Sequence, residues 1–355
     1  MSECELREPG GTTSTAWLYG LLHAAVDLAT VTVVMLESSL GRVGFDEWLR
    51  LLYLYNALAF GLQFPLGLAC DRLRAEKTAA AAGIALALIA VLLAPRFLYA
   101  AIVLAGLGNA LFHIGAGGTV LRGSAGRAAD PGVFVGPGAL GLFLGLWLGR
   151  AGGQVHGLLA VMLVAGLMLV VVHRPSNSKS VIRPPSPALL LAATLVAGSI
   201  ALRSTLGFAL TDLWRAWPNW GVVLTLAAVT GKMLGGFIAD RIGWSTVAAA
   251  VLLGFACLSP AMDTSGASAV SAMVLLQIVM PIALAALYRQ FPGRPATMFG
   301  LASGVLLLGA VPSLAEHAVL TTPGLLAAVA LASAVLLVVG IAFANDRERR
   351  VRERG

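Results

Sequence analysis

Apolar residues run along this chain in long blocks, separated by short charged or Pro/Gly-rich breaks. A bilayer core requires about 20 consecutive apolar residues per helical crossing. The blocks therefore predict twelve spans, at 16–36, 49–69, 77–94, 97–117, 133–149, 154–172, 187–210, 219–239, 245–260, 265–287, 297–315 and 323–343. Several blocks are short and 245–260 is weakly apolar, so ten or eleven crossings also fit the pattern.

Composition excludes an ordinary soluble protein. The chain has 355 residues, of which 58% are hydrophobic and 12% charged, and its mean hydropathy is +0.88. A soluble domain carries about 25% charged residues. The predicted fold class is an all-α membrane protein. The cysteines, Cys4, Cys70 and Cys257, lie far apart without ligand spacing, so no disulfide framework or metal site is predicted.

Loop charge predicts the orientation. If the N-terminus is cytoplasmic, the loops and tails on that side hold seventeen lysines and arginines, and the opposite side holds five. This bias follows the positive-inside rule and places both termini in the cytoplasm, in a cell (inner) membrane. It also accounts for the net charge of +7 without a nucleic-acid partner. The first fifteen residues lack the basic region of a signal peptide, so the first span is expected to stay.

A polar stretch divides the spans into two sets of six. The predicted organisation is a cytoplasmic tail (1–15), an N-terminal bundle (16–172), a cytoplasmic linker (173–186), a C-terminal bundle (187–343) and a basic cytoplasmic tail (344–355). The halves also repeat. Placing Asp71 on Asp240 aligns Gly67 with Gly236, Arg72 with Arg241 and Gln63 with Lys232. Two related six-helix halves are a known transporter plan, with the binding site between them near the bilayer midplane.

The two Asp-Arg pairs resemble the signature loop of the major facilitator superfamily, Gly-x-x-x-Asp-Arg/Lys-x-Gly. The C-terminal copy is complete at Gly236, Asp240, Arg241 and Gly243. The N-terminal copy has Gly67, Asp71 and Arg72 but carries Arg74 at the last glycine. The resemblance implies twelve helices in two pseudo-symmetric bundles and a gate that latches their cytoplasmic faces. A helix-end carboxylate can accept hydrogen bonds from a helix N-terminus. Ordinary positive-inside loop charges are the alternative.

A second segment, "GVFVGPGALG", resembles the antiporter motif of the same family. It matches at Gly132, Gly136, Pro137 and Gly141. Glycines four residues apart let helices approach closely, and a proline bends its helix. Close packing with no bearing on the direction of transport is an equally open interpretation.

Three shorter segments resemble the fosmidomycin-resistance-like exporter branch of the superfamily. They are "LLHAAVDLA" in the first span, "GLGNALFHIGAGG" in the fourth and "PATMFGLASG" in the eleventh. This resemblance implies an exporter, and it does not define a substrate.

Four ionisable residues lie well inside predicted spans. A charge at the bilayer centre costs at least ~2.5 kcal/mol, so such residues usually face a cavity or a partner. His23 and Asp27 are four residues apart and share a helix face, which predicts a proton-coupling pair. Arg203 and Lys232 are predicted to bind substrate. The alternative is a static ion-pair network between the halves.

Polar side chains in other spans are weaker candidates for binding substrate. These are Gln63, Asn109, His113 and Gln277. Hydrogen bonds between helices would explain each of them equally well.

The sequence thus predicts a secondary active transporter that moves a small organic solute by alternating access. A proton-coupled exporter is favoured, and two intramembrane cations beside one carboxylate favour an anionic solute. The alternatives are a proton-coupled uptake symporter and a non-transporting receptor or assembly factor. No nucleotide-binding loop or catalytic constellation occurs, so no enzyme activity and no cofactor are predicted. A monomer is expected.

Overall fold

The computed structural model describes residues 14–41, 43–151, 155–174, 186–213, 220–311 and 321–352. Within those ranges, side chains are described for the parts that fall in 14–36, 41–151, 155–174, 186–211, 220–311 and 321–344. The α-helices of these residues are α1 (Ser14–Leu40), α2 (Phe45–Asn56), α3 (Gln63–Leu73), α4 (Glu76–Leu93), α5 (Leu98–Gly123), α6 (Ala129–Ala151), α7 (His156–Val172), α8 (Pro187–Leu213), α9 (Trp220–Ile242), α10 (Trp244–Leu258), α11 (Gly266–Gln290), α12 (Pro295–Ala310) and α13 (Pro323–Arg352).

These helices confirm the predicted all-α membrane fold. Helices α2 and α3 are joined through a π-helical turn at Ala57–Gly61 and form a single span, Phe45–Leu73. The described residues contain 10 helices long and apolar enough to cross a bilayer, and α7 and α12 are shorter apolar helices. The weakly apolar block at 245–260 is helical as α10, which continues into a 3-10 turn at Ser259–Ala261.

The same packing scheme occurs in each half of the chain. In the first half, α1 packs on α6, and α4 packs on α5 and α7. In the second half, α8 packs on α12, and α10 packs on α11 and α13. Across the halves, α3 lies against α12 and α6 lies against α9. Each of these contacts within the first half thus has a counterpart between the equivalent helices of the second half.

Glycine allows the closest helix contacts. A Cβ added to Gly108 would lie 2.8 Å from the carbonyl oxygen of Gly83, so α4 and α5 touch backbone to backbone. Leucine and valine side chains on the outside, such as Leu158 and Val172, are largely exposed. Lipid tails are as apolar as these side chains, so close van der Waals packing holds such helices together.

The last helix continues beyond the last predicted span, and other predicted domain ends lie outside the described residues. The last helix, α13, continues to Arg352, so the backbone of the segment predicted as a basic tail (344–355) is helical over most of its length. The apolar part of this helix, Pro323–Ala344, matches the predicted span 323–343. Most of the predicted N-terminal tail and of the linker lies outside the described residues.

Candidate functional site

Asp71, near the C-terminal end of α3, binds the N-terminus of α12 in the other half. Its Oδ1 accepts a hydrogen bond from the backbone N–H of Ala296 at 3.1 Å. Its Oδ2 accepts two from Thr297, from the backbone N–H at 2.7 Å and from the hydroxyl at 2.6 Å. The N–H groups of a first helical turn lack partners within the helix and carry a partial positive charge, so they suit a carboxylate.

Asp240 repeats this arrangement in the opposite sense. Near the C-terminal end of α9, it accepts hydrogen bonds from the backbone N–H groups of Ala128, at 3.0 and 3.1 Å, and of Ala129, at 2.9 Å. Ala129 begins α6 in the first half, and Ala128 directly precedes it. The indole N–H of Trp244 donates to the same carboxylate at 2.9 Å. We call the two Asp–helix contacts the latch.

Motif glycines bring the latch helices together. A Cβ on Gly67 would lie 2.5 Å from the carbonyl oxygen of Ala296, and a Cβ on Gly236 would overlap Ala128. One turn deeper, a Cβ on Gly132 would lie 2.6 Å from the carbonyl oxygen of Lys232. Gly300 packs in the same way on the carbonyl of Gln63. The alignment of Gln63 with Lys232 therefore holds in three dimensions.

The turns that follow the two doublets both contain a residue with positive φ. Gly243 has φ +112°, and Arg74, which replaces the second glycine of the N-terminal copy, has φ +51°. Arg74 has ψ 44°, in the left-handed helical region, whereas Gly243 has ψ 132°. The replacement of the second glycine thus goes with a different turn, and it places a side chain in a disfavoured region. Arg72 and Arg241 are exposed.

Sequence reasoning missed a further contact beside the latch. Arg289, near the end of α11, donates from Nε to the carbonyl oxygen of Gly126 at 2.8 Å, which links the halves. Its guanidinium also lies 3.6 Å from the ring centroid of Trp244. Gly126 lies in the loop before α6, and its φ of +79° favours glycine. A loop glycine and an arginine so far apart in sequence give no pattern to detect.

A buried cluster surrounds Asp27 in the first half. Asn109 Nδ2 donates to Asp27 Oδ1 at 2.9 Å, and His23 Nε2 lies 3.1 Å from Asp27 Oδ2. His113 Nε2 lies 3.7 Å from Asp27 Oδ1 and 2.8 Å from His23 Nε2. All four side chains are buried. The predicted pair of His23 and Asp27 is thus part of a larger group that includes two residues of α5.

The backbone determines where the imidazole protons lie. His23 Nδ1 is 2.9 Å from the carbonyl oxygen of Phe134, and His113 Nδ1 is 2.8 Å from the carbonyl oxygen of Asn109. A carbonyl oxygen only accepts, so both Nδ1 atoms carry hydrogen. In neutral rings the two Nε2 lone pairs would then face each other at 2.8 Å. A single cation, such as a proton, resolves that repulsion next to the Asp27 carboxylate.

Packing holds this cluster in place. A Cβ on Gly138 would overlap the imidazole of His23, so this glycine leaves room for the ring. Phe134 stacks on His23 with ring centroids 4.7 Å apart. Phe299 of α12 reaches across from the other half to within 5.6 Å of the Phe134 ring and 6.2 Å of the His113 ring. Gly138 and the two phenylalanines carry no chemical signal in the sequence, because each acts only through its neighbours.

Arg203 and Lys232 bring positive charge from the second half. Arg203 on α8 is only 5% exposed. Among the described residues, its Nε and Nη2 atoms have no hydrogen-bond partner. Lys232 on α9 is half-buried and lies close enough to interact electrostatically with both Asp27 and Arg203. Three of the predicted intramembrane charges, drawn from both halves, therefore share one electrostatic environment.

The remaining predicted polar residues take part in helix packing. Gln63 is fully buried and donates from Nε2 to the carbonyl oxygen of Ala59 at 2.6 Å. Its Oε1 has no partner within the described parts of the chain. Gln277 packs against Gly231 of α9 and lies 3.7 Å from the sulfur of Met273.

The antiporter-like segment packs α6 on two neighbours. Gly132 and Gly136 face α9, where they contact Lys232 and Met233. Pro137 and Gly141 face α1, where Gly141 lies against Ala24. These contacts explain the glycine spacing by close packing. The link between this segment and the direction of transport stays a prediction.

Comparison with known proteins identifies the fold. No protein-family model matches the chain, and no curated protein sequence matches it. Solved structures do. A transporter of the major facilitator superfamily, FucP, in its outward conformation, superposes with a TM-score of 0.67 at 13% identity, over 94% of this chain and 97% of FucP. This chain has the major facilitator fold.

Two further structures agree. One is of the E. coli fucose:proton symporter FucP, with a TM-score of 0.63, 13% identity and coverage of 94% of this chain and 97% of that one. The other is of the human organic anion transporter MFSD10 (TETRAN), with a TM-score of 0.63, 16% identity and coverage of 94% and 100%. At these identities the likeness establishes the fold alone.

Proposed function

We propose that this protein is a secondary active transporter of small organic anions. The observation that carries the proposal is Arg203, a buried guanidinium with two unpartnered N–H groups among the described residues. Burying an unpaired charge costs several kcal/mol. A residue that raises the free energy of the empty protein in this way suits a site that an anion fills during transport. The fold favours a transporter over an enzyme.

Alternating access explains why the charges come from both halves. Asp27 belongs to the first half, and Arg203 and Lys232 belong to the second. Rocking the halves apart at the latch would change which of these groups face each other and which face water. The latch consists of a few hydrogen bonds to helix ends, which can break without unfolding either half. On the loop-charge argument, the latch side is cytoplasmic.

We infer that protons are the coupling ion and that Asp27, His23 and His113 hold them. The two Nε2 atoms, 2.8 Å apart, require a cation between them when both Nδ1 atoms carry hydrogen. A proton there offsets the charge of Asp27. Its loss would leave an uncompensated carboxylate, which attracts Lys232 and Arg203 and so competes with an anionic solute for them.

This electrostatic argument favours proton symport, because the proton and the anion assist each other's binding. FucP, which shares the fold, is described as a fucose:proton symporter. The second candidate is export by proton antiport, which the sequence-based prediction favoured. Its support is the antiporter-like segment from Gly132 to Gly141 and the exporter-like segments. MFSD10, described as an organic anion transporter, is consistent with an anionic solute in either direction.

Proteoliposomes with a pH-sensitive dye inside test this function. A panel of anions, including gluconate, phthalate and phenylphosphonate, would be added outside under a pH gradient. At least one is expected to move protons through the wild-type protein but not through Asp27→Asn or Arg203→Gln. Protons that enter together with the anion indicate symport, and protons that leave as it enters indicate antiport. If both variants move protons like the wild type, the site assignment is wrong. If the wild type itself moves no protons with any anion, a receptor on this fold becomes the better hypothesis.

A further inference from the structure

We infer that Arg203 receives a planar carboxylate, held side-on by Nε and Nη2, so that the transported anions are small organic carboxylates. This inference rests on the proposed function and specifies its substrate class. It depends on which atoms of Arg203 lack partners. Among the described residues these are Nε and Nη2, both buried.

These two nitrogens form one edge of the guanidinium. Their N–H bonds point in nearly parallel directions within the plane of the group, which matches the two oxygens of a carboxylate. A lysine at this position would supply the charge but not the two parallel N–H donors. Arg203 thus presents a preformed bidentate edge, and the cost of burying these donors without a partner is already present in the empty protein.

The hydroxyl groups nearest along α8 are engaged elsewhere. Ser204 Oγ donates to the carbonyl oxygen of Leu306 at 2.7 Å, and Thr205 Oγ1 donates to that of Gly309 at 2.7 Å. One turn earlier, Ser199 Oγ bonds to Ser333 Oγ at 2.8 Å. None of these three turns its oxygen to Arg203. The Asp27 carboxylate is likewise bound to Asn109 and lies beside His23.

The same engagement favours carboxylates over tetrahedral oxyanions. Each of the two carboxylate oxygens receives one donor from the Nε and Nη2 edge. A phosphonate or sulfonate carries a third oxygen, and the hydroxyl donors beside Arg203 on α8 already donate to carbonyls. A buried oxygen without a donor costs affinity. Lys232, which interacts electrostatically with Arg203, adds the charge that keeps a carboxylate ionised in the site.

A series with one ring and different head groups tests the inference. The full-length protein, purified in detergent, would be titrated with benzoate, phenylphosphonate, benzenesulfonate and neutral benzamide, and its thermal unfolding recorded. Binding to the folded state raises the unfolding temperature. Benzoate is expected to raise it at concentrations at least tenfold below those at which the phosphonate or sulfonate does so. Benzamide is expected to have no effect.

Two substitutions of Arg203 distinguish the contribution of the paired Nε and Nη2 donors from the contribution of the positive charge. Arg203→Lys keeps the charge and is expected to weaken the benzoate response at least tenfold, and Arg203→Gln is expected to remove it. Arg150→Lys, at the exposed end of α6, is the matched control and should respond like the wild type. An undiminished benzoate response in Arg203→Lys overturns the inference. So does a phosphonate or sulfonate response as strong as that of benzoate.

The two proposals fail in different ways. If benzoate gives no shift up to its solubility limit, but phenylphosphonate still drives protons through Arg203-dependent transport, the carboxylate inference is wrong and the transport function stands. If no anion of any class moves protons in proteoliposomes, the function itself is contradicted.

Discussion

Asp71 and Thr297 bond across the interface between the two halves, with the Asp71 carboxylate accepting from both the backbone N–H and the hydroxyl of Thr297. Two residues further along α12, the Phe299 ring lies 6.2 Å from that of His113 and 5.6 Å from that of Phe134, centroid to centroid. The first five residues of α12 therefore contain both a contact of the latch and a contact with the Asp27 cluster.

The latch should loosen when its carboxylates are removed. Asp71→Asn and Asp240→Asn each keep the side-chain shape but lose the charge that the helix N-terminus stabilises, a contribution of about 0.3–2 kcal/mol. We expect the α3 and α12 ends to separate more often. Spin labels at these ends, read as a distance distribution, measure this separation.

Glu76→Gln is the control for the latch variants. Glu76 pairs with Arg122, and both residues belong to the first half. In the Glu76→Gln variant, the distribution of distances between the α3 and α12 ends should match that of the wild type. Unchanged distributions in the two aspartate variants would show that the latch does not hold the halves together.

Gly67→Ala should open the same interface by steric force. The added Cβ would meet the backbone of Ala296 and Thr297, which cannot move aside as a flexible side chain can. Overpacking of this kind costs about 1–3 kcal/mol. We expect a lower unfolding temperature or a shift toward the latch-open state.

Gly207→Ala is the matched control, because nothing lies within 4 Å of the Cβ added there. Alanine is the better helix former, so this variant should be neutral or slightly stabilising. Equal effects of both substitutions would mean that the close approach of α3 and α12 is not tight.

Arg203→Met should stabilise the empty protein and abolish transport. The substitution removes a buried charge with unpartnered donors and keeps much of the side-chain volume. Replacing buried ionic groups by apolar ones of similar size is often neutral or stabilising, by about 1–4 kcal/mol. Thermal unfolding without added anion measures the gain, and proteoliposome flux measures the loss. A marked destabilisation would show that Arg203 has a structural partner.

His113 should be as important to proton coupling as His23. Each supplies one Nε2 to the shared position beside Asp27. His113→Gln is therefore expected to reduce anion-driven proton movement at least tenfold, with the latch distances unchanged. His173→Gln, at the end of α7, is the control and should retain coupling. If His113→Gln retains full coupling, then Asp27 and His23 hold the coupling proton without His113.

The sequence predicts the architecture well because the bilayer imposes it. Span length, the loop doublets and the alignment of Gln63 with Lys232 are all local patterns, and the fold and the close glycine contacts agree with them. The i, i+4 spacing of His23 and Asp27 was equally local.

The sequence could not predict which buried side chains contact one another in the folded protein. Asn109 and His113 stood out only as polar residues in an apolar span, because their contacts with Asp27 join segments that are far apart in the chain. The lack of hydrogen-bond partners at Arg203 Nε and Nη2 could not be predicted from the sequence either. Whether a buried donor is satisfied depends on every neighbouring helix, and no spacing rule encodes it.

The central claim is that Asp27 and Arg203 face one chamber that opens alternately to the two sides of the membrane. Single cysteines at these positions, in a chain with Cys4, Cys70 and Cys257 replaced, test it with a charged, membrane-impermeant thiol reagent. Both cysteines are expected to react from the side opposite the latch, and to become reactive from the latch side when Asp71→Asn and Asp240→Asn are added. If either cysteine stays unreactive from both sides, as a side chain against lipid would, the account is contradicted.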